Sequence, residues 1–300
     1  MLAAGCQQTV RPVRVGYTKI DLIGPNLLPE VLCNRWETLR LDLGLYLGLD
    51  KFVQLELLKP RQIRVHLGTG RVAVAIVDAA EYAEVSRGDN STVLAVAVNP
   101  AGNTERVGLI ITQANSPIQS LADLKGKRFD FGPKGDALLD VGAACTLWKA
   151  GVKREDIQKD KLLGEYRHLN SQEVAKAVAY AKSAAGIVDE AEYRKWPETG
   201  GSLLLGTVSK DQFRILHRTI PVPEMIVLAS EKADPVLVEK IHKYFVEEVN
   251  RKQLAVLSWL GVKGFRAATA EQFAPFVKLV NEVYPPPPAQ ADATTTPVEP

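Results

Sequence analysis

The stretch "LADLKGKRFDFGPKGDALLDVGAACTLWKAGV", residues 121–152, predicts a strand, a glycine-containing turn and then a helix. The strand is "KRFDFG", and the helix runs from about Ala137 to Ala150, where Gly151 supplies the left-handed residue that ends it. Backbone N–H groups at the start of a helix lack partners within the helix and therefore attract anions. The turn thus raises the question of whether this protein holds an anion there.

Strands and helices alternate on both sides of this stretch. Before it, "VAVAIV" and "STVLAVAV" predict buried strands, and "PRQIRVHLGTG" predicts a helix opened by Pro60 and closed by Gly68 or Gly70. After it come a predicted strand "LLGEYRHL", a helix from about Ser171 to Lys182, and a strand "AAGIVD". This alternation is typical of parallel α/β sheets that are covered on both faces.

The last third of the chain has a different pattern. "FRILHRTIPVPEMIVLAS" is extended, and the segments after it predict helices without a further strand. Asp234-Pro235 is a predicted helix start, and Thr269 with Gln272 forms a predicted capping box. These helices need a sheet to cover, and the best candidate is the sheet of the first α/β unit, which ends near residue 105. The chain would therefore cross between units near residues 105 and 221, which predicts a hinge with a cleft at the strand ends.

This pattern divides the chain into four predicted parts. Residues 12–104 and 222–284 form lobe 1, residues 105–221 form lobe 2, residues 1–11 are a leader and linker, and residues 285–300 are a disordered Pro/Thr-rich tail. The net charge of +2 comes without basic blocks, so the sequence does not indicate nucleic-acid binding. Scattered histidines and cysteines without ligand spacing indicate neither metal nor cofactor.

The beginning "MLAAGC" places small residues directly before Cys6 and resembles the lipobox at which bacterial lipoproteins are cleaved and lipidated. It lacks the charged and apolar regions of a signal peptide, so a truncated signal and a chance match are both open. No apolar run approaches the 18 or so residues of a spanning helix. Contact with a membrane is therefore expected only through a lipid at Cys6.

Four segments in order carry a resemblance to a known family: "HLGTGRVAVAIVDAAEY", "SLADLKGKRFDFG", "EVAKAVAYAKSAAGIVD" and "RTIPVPEMIVLAS". From about Val13 to Tyr284 the sequence resembles the substrate-binding proteins of phosphate, phosphite and phosphonate ABC importers. The resemblance implies an α/β, two-lobed periplasmic-binding-protein fold, with a mainly parallel sheet flanked by helices in each lobe and a two-stranded hinge.

The same resemblance implies a function. It predicts a monomeric, non-enzymatic protein in the periplasm or at the cell surface that captures a small ligand, closes on it and delivers it to an ABC permease. It also strengthens the interpretation of Cys6 as a lipid anchor, because many family members are anchored at such a cysteine. The alternative is a ligand-sensing or interaction module on the same fold, with a degenerate anion site.

The predicted anion site departs from the family pattern. Where the resemblance implies a Ser-Thr-Ser type run, this sequence has Asp136, Ala137 and Leu138, preceded by Lys134 and Gly135. Asp136 is a preferred helix-capping residue, so we expect it to bind its own helix. At about 4 Å and an effective dielectric near 20, it would also repel an anion by roughly 4 kcal/mol.

Other candidate ligand groups follow the remaining strands. Ser171 falls where the family often has a histidine, next to a possible capping pair of Asn170 and Glu173. Asp78 follows a strand and has Glu81 three residues on, so it too looks like a helix cap. Asp189 ends the strand "AAGIVD", at a position where the resemblance implies an acid. Arg61 opens a helix and could hold an oxyanion or lie on the surface. The complete set of predicted ligand-binding residues is Tyr17, Thr18, Arg61, Asp78, Tyr82, Lys134, Gly135, Asp136, Ala137, Asn170, Ser171 and Asp189.

Overall fold

The computed structural model describes residues 13–17, 29–48, 53–88, 91–158, 170–202, 206–252 and 255–286. Four sequence predictions lie outside these residues: the leader with Cys6, the ligand group at Thr18, the strand "LLGEYRHL" and most of the C-terminal tail.

The described residues form strands and helices in an α/β order. The strands are β1 (Val13–Tyr17), β2 (Val53–Leu57), β3 (Val74–Val77), β4 (Ser91–Val98), β5 (Glu105–Arg106), β6 (Gly108–Gln113), β7 (Phe129–Asp130), β8 (Ala185–Asp189), β9 (Phe213–Arg218), β10 (Val222–Pro223), β11 (Ile226–Ser230) and β12 (Gly264–Ala267). The helices are α1 (Pro29–Leu47), α2 (Pro60–Thr69), α3 (Ala79–Val85), α4 (Ala143–Lys149), α5 (Ser171–Ala179), α6 (Glu190–Tyr193), α7 (Pro235–Lys243), α8 (Val249–Lys252), α9 (Ala255–Leu260) and α10 (Ala270–Val283). Two π-helical segments, Ala137–Gly142 and Tyr244–Glu248, lead into α4 and α8.

The described residues form three sheets. A six-stranded sheet has the order β12-β4-β11-β3-β1-β2, and a four-stranded sheet has the order β7-β8-β6-β9. Between them along the chain, β5 and β10 pair antiparallel as a two-stranded ribbon. We refer to the six-stranded sheet with its helices as lobe 1, to the four-stranded sheet with its helices as lobe 2, and to the β5–β10 ribbon as the hinge.

Both sheets are mixed rather than mainly parallel. In lobe 1, β1 is parallel to β2 and β3, but β11 returns from lobe 2 and inserts antiparallel between β3 and β4. Among the described strands of lobe 2, β7 is parallel to β8, while β6 is antiparallel to β8 and β9. The reason is topological: a strand that enters from the hinge begins at the edge where the parallel strands end, so it must run the opposite way.

A further strand in the last third of the chain also corrects the sequence prediction. Gly264–Ala267 forms β12, which pairs antiparallel with β4 at the edge of the lobe 1 sheet. Asn250 covers its start, because the Asn250 amide accepts the Phe265 N–H at 2.9 Å and donates to the Phe265 carbonyl at 2.7 Å. Such a short segment has no periodicity of its own, and pairing with β4 determines its conformation.

Most helix ends match the predictions from local sequence. Helix α2 begins at Pro60 and ends before Gly70, which is left-handed at φ 72°. Asp234 caps α7, with Pro235 as its first residue. Helix α5, however, ends at Ala179 instead of about Lys182, because Ala181 is left-handed and the Lys182 N–H turns back to the Ala177 carbonyl.

The buried side chains connect the lobes as well as filling each one. One cluster lies within lobe 1 and includes Tyr244, Phe245 and Phe265. Another joins α3 and α10 of lobe 1 to the π-helical segment and α4 of lobe 2, through residues such as Ala83, Leu138 and Phe276. The two lobes therefore meet through apolar contacts beside the hinge.

Candidate ligand-binding cleft

The turn before Ala137 uses its backbone N–H groups for its own carboxylates. Asp136 Oδ1 accepts hydrogen bonds from the N–H groups of Leu138 at 2.9 Å and Leu139 at 2.6 Å. Gly135 is left-handed, with φ 84°, and donates its N–H to Asp140 Oδ2 at 2.7 Å. The predicted capping role of Asp136 is confirmed. These donors, which would otherwise attract an anion, are already occupied.

Asp78 caps α3 at the end of β3 in lobe 1. Its Oδ1 accepts the Glu81 N–H at 2.8 Å, and Glu81 Oε2 accepts the Asp78 N–H at 3.1 Å. This is the predicted capping box. Burial raises the pKa of the Asp78 carboxyl well above its usual range, and repulsion from Glu81 adds to the rise. The start of α3 therefore presents a half-buried carboxylate rather than open N–H donors.

The two remaining helix starts in lobe 2 are capped in the same way. Asn170 Oδ1 accepts the Glu173 N–H at 3.0 Å, as the sequence predicts. Asp189 Oδ1 accepts the Ala191 N–H at 2.7 Å at the start of α6. The Ser171 hydroxyl is buried and accepts the Asp189 N–H at 3.0 Å, so it links α5 to the end of β8.

Arg106 on the hinge brings these carboxylates together. Its Nε lies 3.5 Å from Glu224 Oε2, and its Nη1 lies 3.8 Å from Asp189 Oδ2. The carboxylates that interact electrostatically with Arg106 belong to Asp78, Asp136, Asp189 and Glu224. We call these five residues the hinge cluster. They come from lobe 1, lobe 2 and the hinge, so the cluster lies where the two lobes meet.

Burial and charge act against each other in the hinge cluster. Burial lowers the pKa of Arg106, but the surrounding carboxylates outweigh it, so the pKa of the guanidinium is raised. Burial also raises the pKa of Glu224, and Arg106 opposes this rise by attracting the ionised form. Arg106 thus remains charged, and the carboxylates depend on it for compensation.

Sequence reasoning missed Arg106 and Glu224. Neither belongs to a motif, and β5 and β10 are only two residues long. One signal was present: the chain was predicted to cross between units near residues 105 and 221, so charged residues at the crossings were candidates for the cleft.

Several predicted ligand residues lie outside this cluster. Tyr82 is buried and packs edge-on against Phe273 of α10, with ring centroids 5.7 Å apart. Arg61 and Lys134 are exposed, at the start of α2 and in the turn before Gly135. Tyr17 is the last residue of β1, and Ala137 is buried at the start of the π-helical segment. Of the predicted candidates, Asp78, Asp136 and Asp189 interact with Arg106, and Ser171 is hydrogen-bonded to Asp189.

A separate groove of about 390 Å³ lies on lobe 1. It is lined by residues of β4, α7 and the segment after β12, including Val93, Glu239 and Thr269. Val93 of the groove pairs with Leu228 of β11, whereas Val77, the residue before Asp78, pairs with Ile226 at the start of β11. The groove contains none of the hinge cluster residues.

Substitution of Asp78 by asparagine is expected to stabilise the protein. Asparagine keeps the capping oxygen but removes a charge that desolvation disfavours, so the free energy of unfolding at pH 8 should rise by on the order of 1 kcal/mol. The folded pKa is raised, so ionisation costs stability progressively as the pH rises from the unfolded value near 3.9 through the folded value. The gain should therefore shrink toward pH 4, as measured by urea unfolding at both pH values.

Asp123 supplies a matched control for this prediction. Hydrogen bonds from the Gln119 and Ser120 N–H groups lower the pKa of its exposed carboxyl. Asp123→Asn is therefore expected to give no gain at pH 8. An equal gain in both variants would show that burial of Asp78 is not the cause.

The described residues show neither a metal site nor a membrane-spanning helix. Within the described ranges, no three His, Cys, Asp or Glu side chains are arranged to hold a metal ion. No helix among the same residues is long and apolar enough to cross a membrane.

The sequence matches a family described as "ABC transporter, phosphonate, periplasmic substrate-binding protein" over residues 23–273. The chain belongs to this family, which comprises transport proteins rather than enzymes. It is the periplasmic substrate-binding component of an ABC importer, as the sequence predicted. No curated protein sequence is similar enough to count as a relative.

Solved structures show the same two-lobed fold. XAC2383 from Xanthomonas citri bound to ATP has a TM-score of 0.67 at 16% identity, covering 90% of this chain and 97% of that one. PhnD1 from Prochlorococcus marinus (MIT 9301) in complex with methylphosphonate has a TM-score of 0.63 at 14% identity, covering 91% and 98%. A binding protein component of ABC phosphonate transporter (PA3383) from Pseudomonas aeruginosa has a TM-score of 0.57 at 18% identity, covering 90% and 85%. The predicted two-lobed α/β fold is confirmed, with mixed instead of mainly parallel sheets.

Proposed function

We propose that this protein captures a small ligand at the hinge cluster, closes its two lobes about the β5–β10 ribbon and presents the closed form to a permease. In this proposal residues 12–104 and 222–284 move as lobe 1, and residues 105–221 move as lobe 2. The observation that supports it is that Arg106 on the hinge lies within 4 Å of Glu224 and of Asp189 of lobe 2 and also interacts electrostatically with Asp78 of lobe 1. When both lobes contribute groups to the same cluster, the contacts between those groups change as the lobes open or close.

Ligand contact is assigned to a subset of the predicted residues. Asp78, Asp136 and Asp189 lie in the hinge cluster, and Asn170, Ser171 and Gly135 lie at the adjoining helix starts. Tyr82 is assigned to core packing and not to ligand contact, because its ring is buried against Phe273. This assignment extends the site to Arg106 and Glu224.

The test is a titration combined with a measurement of shape. We would titrate the purified protein with phosphate, phosphite, methylphosphonate, ethanolammonium, putrescine and choline by calorimetry, and measure the radius of gyration by small-angle scattering. At least one probe should bind saturably and reduce the radius of gyration. Saturable binding without compaction would contradict closure. Absence of binding by every probe would contradict capture and favour the alternative, an interaction module with a degenerate site.

Attachment through Cys6 and a monomeric state belong to the same proposal. The periplasmic family supports the first, because a lipid would keep the protein near its permease. Detergent-phase partitioning of the protein expressed with a complete signal should be lost in Cys6→Ser. Sedimentation of the soluble form should give one chain per particle, and a stable dimer would contradict the monomer.

A further inference from the structure

Arg154 contacts residues on both sides of the turn that leads into the π-helical segment Ala137–Gly142. Its guanidinium Cζ lies 4.3 Å from the centroid of the Phe131 ring, and its Nη2 forms an ion pair with Asp140 Oδ1. The Phe131 ring is buried and packs edge-on against Phe129, with centroids 4.7 Å apart. The side chains of Arg154 and Asp140 are only 18% and 5% exposed, so this ion pair is shielded from water and restricted by the aromatic ring.

Asp140 connects Arg154 to the turn. While its Oδ1 is bound by Arg154, its Oδ2 accepts the Gly135 N–H at 2.7 Å. Gly135 is left-handed, with φ 84°, and this conformation sets the direction in which the chain enters Asp136. The Asp136 N–H closes the turn by donating to the Pro133 carbonyl at 3.0 Å. A continuous chain of contacts therefore runs from Arg154 through Asp140 to the turn that presents Asp136.

Arg154 is itself held by the framework of lobe 2. It begins a short 3-10 turn, Arg154–Asp156. Asp156 Oδ2 accepts the Lys153 N–H at 2.9 Å, and the Asp156 carbonyl accepts the Gly126 N–H at 2.7 Å. Gly126 lies shortly before β7, so these bonds tie the 3-10 turn to the segment that enters the sheet. The contacts of Arg154 thus transmit the position of the sheet to the turn.

The charge of Arg154 favours the ionised form of Asp140. Burial raises the pKa of the Asp140 carboxyl, whereas Arg154 and the Gly135 N–H oppose this rise. Asp136 adds to the rise, and the buried Cys145 thiol also interacts electrostatically with Asp140. Without Arg154, a carboxylate at this depth would become protonated or turn toward solvent. Either change would weaken its hydrogen bond from Gly135.

We propose that Arg154 and Asp140 are positioning residues for the ligand-binding turn, and that they hold Gly135 and Asp136 in the orientation that a ligand meets. This rests on the proposed function, which assigns ligand contact to Gly135 and Asp136. Arg154 and Asp140 act through the turn and not on the ligand. A binding site depends on such support because its contact groups keep their geometry only when the residues behind them are locked by packing and hydrogen bonds.

Amide hydrogen exchange measured by NMR tests the effect on the turn. In Arg154→Met the Gly135 N–H should exchange roughly tenfold faster than in the wild type. The reference is the Ala97 N–H in lobe 1, which donates to the Met225 carbonyl at 2.8 Å and should keep its rate. General loss of stability would accelerate both amides, so the ratio of their rates reports the turn alone.

The pH profile of the Gly135 nitrogen chemical shift provides a second measurement. This shift should titrate with Asp140, because the Asp140 carboxylate accepts the Gly135 N–H. Arg154 opposes the rise in the pKa of Asp140, so the midpoint should move to higher pH in Arg154→Met. A purely structural loss of packing would not move this midpoint in a set direction.

Calorimetry tests the effect on the ligand. The probes are phosphate, phosphite, methylphosphonate, ethanolammonium, putrescine and choline, and the probe that binds the wild type most tightly should bind Arg154→Met roughly tenfold more weakly. Arg154→Lys keeps the charge but loses the planar group that packs on Phe131, so it should recover part of the affinity. Lys153→Met is the matched control. Lys153 is 62% exposed and lies 3.9 Å from Glu155, so its loss should change neither exchange nor affinity.

The outcomes separate this inference from the proposed function. Equal acceleration of Gly135 and Ala97 exchange in Arg154→Met would overturn the positioning role and leave solute capture intact. Unchanged probe affinity in that variant would also overturn it. Failure of every probe to bind the wild type would contradict capture, whereas a selective gain in Gly135 exchange would still support the role of Arg154 and Asp140 in holding the turn.

Discussion

Arg106→Met is expected to lower the free energy of unfolding by about 3 kcal/mol at pH 8. Methionine preserves much of the length of the side chain but removes the only positive charge of the hinge cluster. Glu224 and Asp189 would then keep buried carboxylates without their partner, since their side chains are 7% and 15% exposed. Removing the Arg106 charge should also weaken the contact between the lobes, because the hinge cluster includes groups from both lobes.

The pH dependence of this destabilisation follows from the pKa values of the carboxyl groups. Arg106 opposes the rise in the pKa of Glu224, so its removal raises that pKa further. A carboxyl group with a raised folded pKa costs stability as the pH rises through that value. The destabilisation by Arg106→Met should therefore be larger at pH 8 than at pH 5, as measured by chemical denaturation at both.

Arg71→Met is the matched control. Arg71 is 54% exposed at its side chain and lies 3.8 Å from Glu56 on the surface of lobe 1. Exposed ion pairs contribute less than about 1 kcal/mol, so this variant should unfold almost like the wild type. Equal losses in the two variants, or a loss in Arg106→Met that does not change with pH, would refute the role assigned to Arg106.

Phe245→Ala is expected to cost about 4 kcal/mol of folding free energy. The ring is fully buried in the π-helical segment Tyr244–Glu248 and packs against Phe265 and Tyr244, with centroids 5.0 and 5.3 Å away. Phe265 belongs to β12, so Phe245 secures the edge strand that the sequence pattern did not predict. The cavity left by alanine would remove these contacts from the centre of the lobe 1 core.

Denaturation of a graded pair of variants measures this effect. Phe245→Leu retains most of the volume and should cost about 1–2 kcal/mol, clearly less than alanine. Val236→Ala serves as a surface control, because Val236 is 65% exposed on α7 of the same lobe. A cost for Phe245→Ala no larger than that of Val236→Ala would mean that the aromatic cluster is not packed as described.

The hinge cluster changes how this member of a phosphonate-binding family is interpreted. Membership follows from the match over residues 23–273, and the fold agrees with a structure solved in complex with methylphosphonate. At the hinge cluster, carboxylates occupy the helix starts and interact with Arg106, so the N–H groups there are not open to an anion. Fold and ligand class are separate properties, since the ligand depends on a few side chains carried by the fold.

The helix caps show how much of the site could be predicted from the sequence. Asp78 with Glu81 and Asn170 with Glu173 were predicted from spacing alone, and both capping boxes are present. Asp136 was predicted to cap its own helix and does so. A cap bonds to an N–H only two or three residues away, so the relevant geometry is already contained in a short piece of chain.

The sequence by itself determined the α/β order, most of the helix starts and the two crossings of the chain, because these depend on local periodicity and on capping within a few residues. Only the tertiary structure decided that β11 inserts antiparallel, that β12 joins the edge of lobe 1 and that Arg106 lies within 4 Å of Asp189 and Glu224. Those features join residues far apart along the chain. Their energies come from pairing and burial that exist only once both lobes have folded around the hinge.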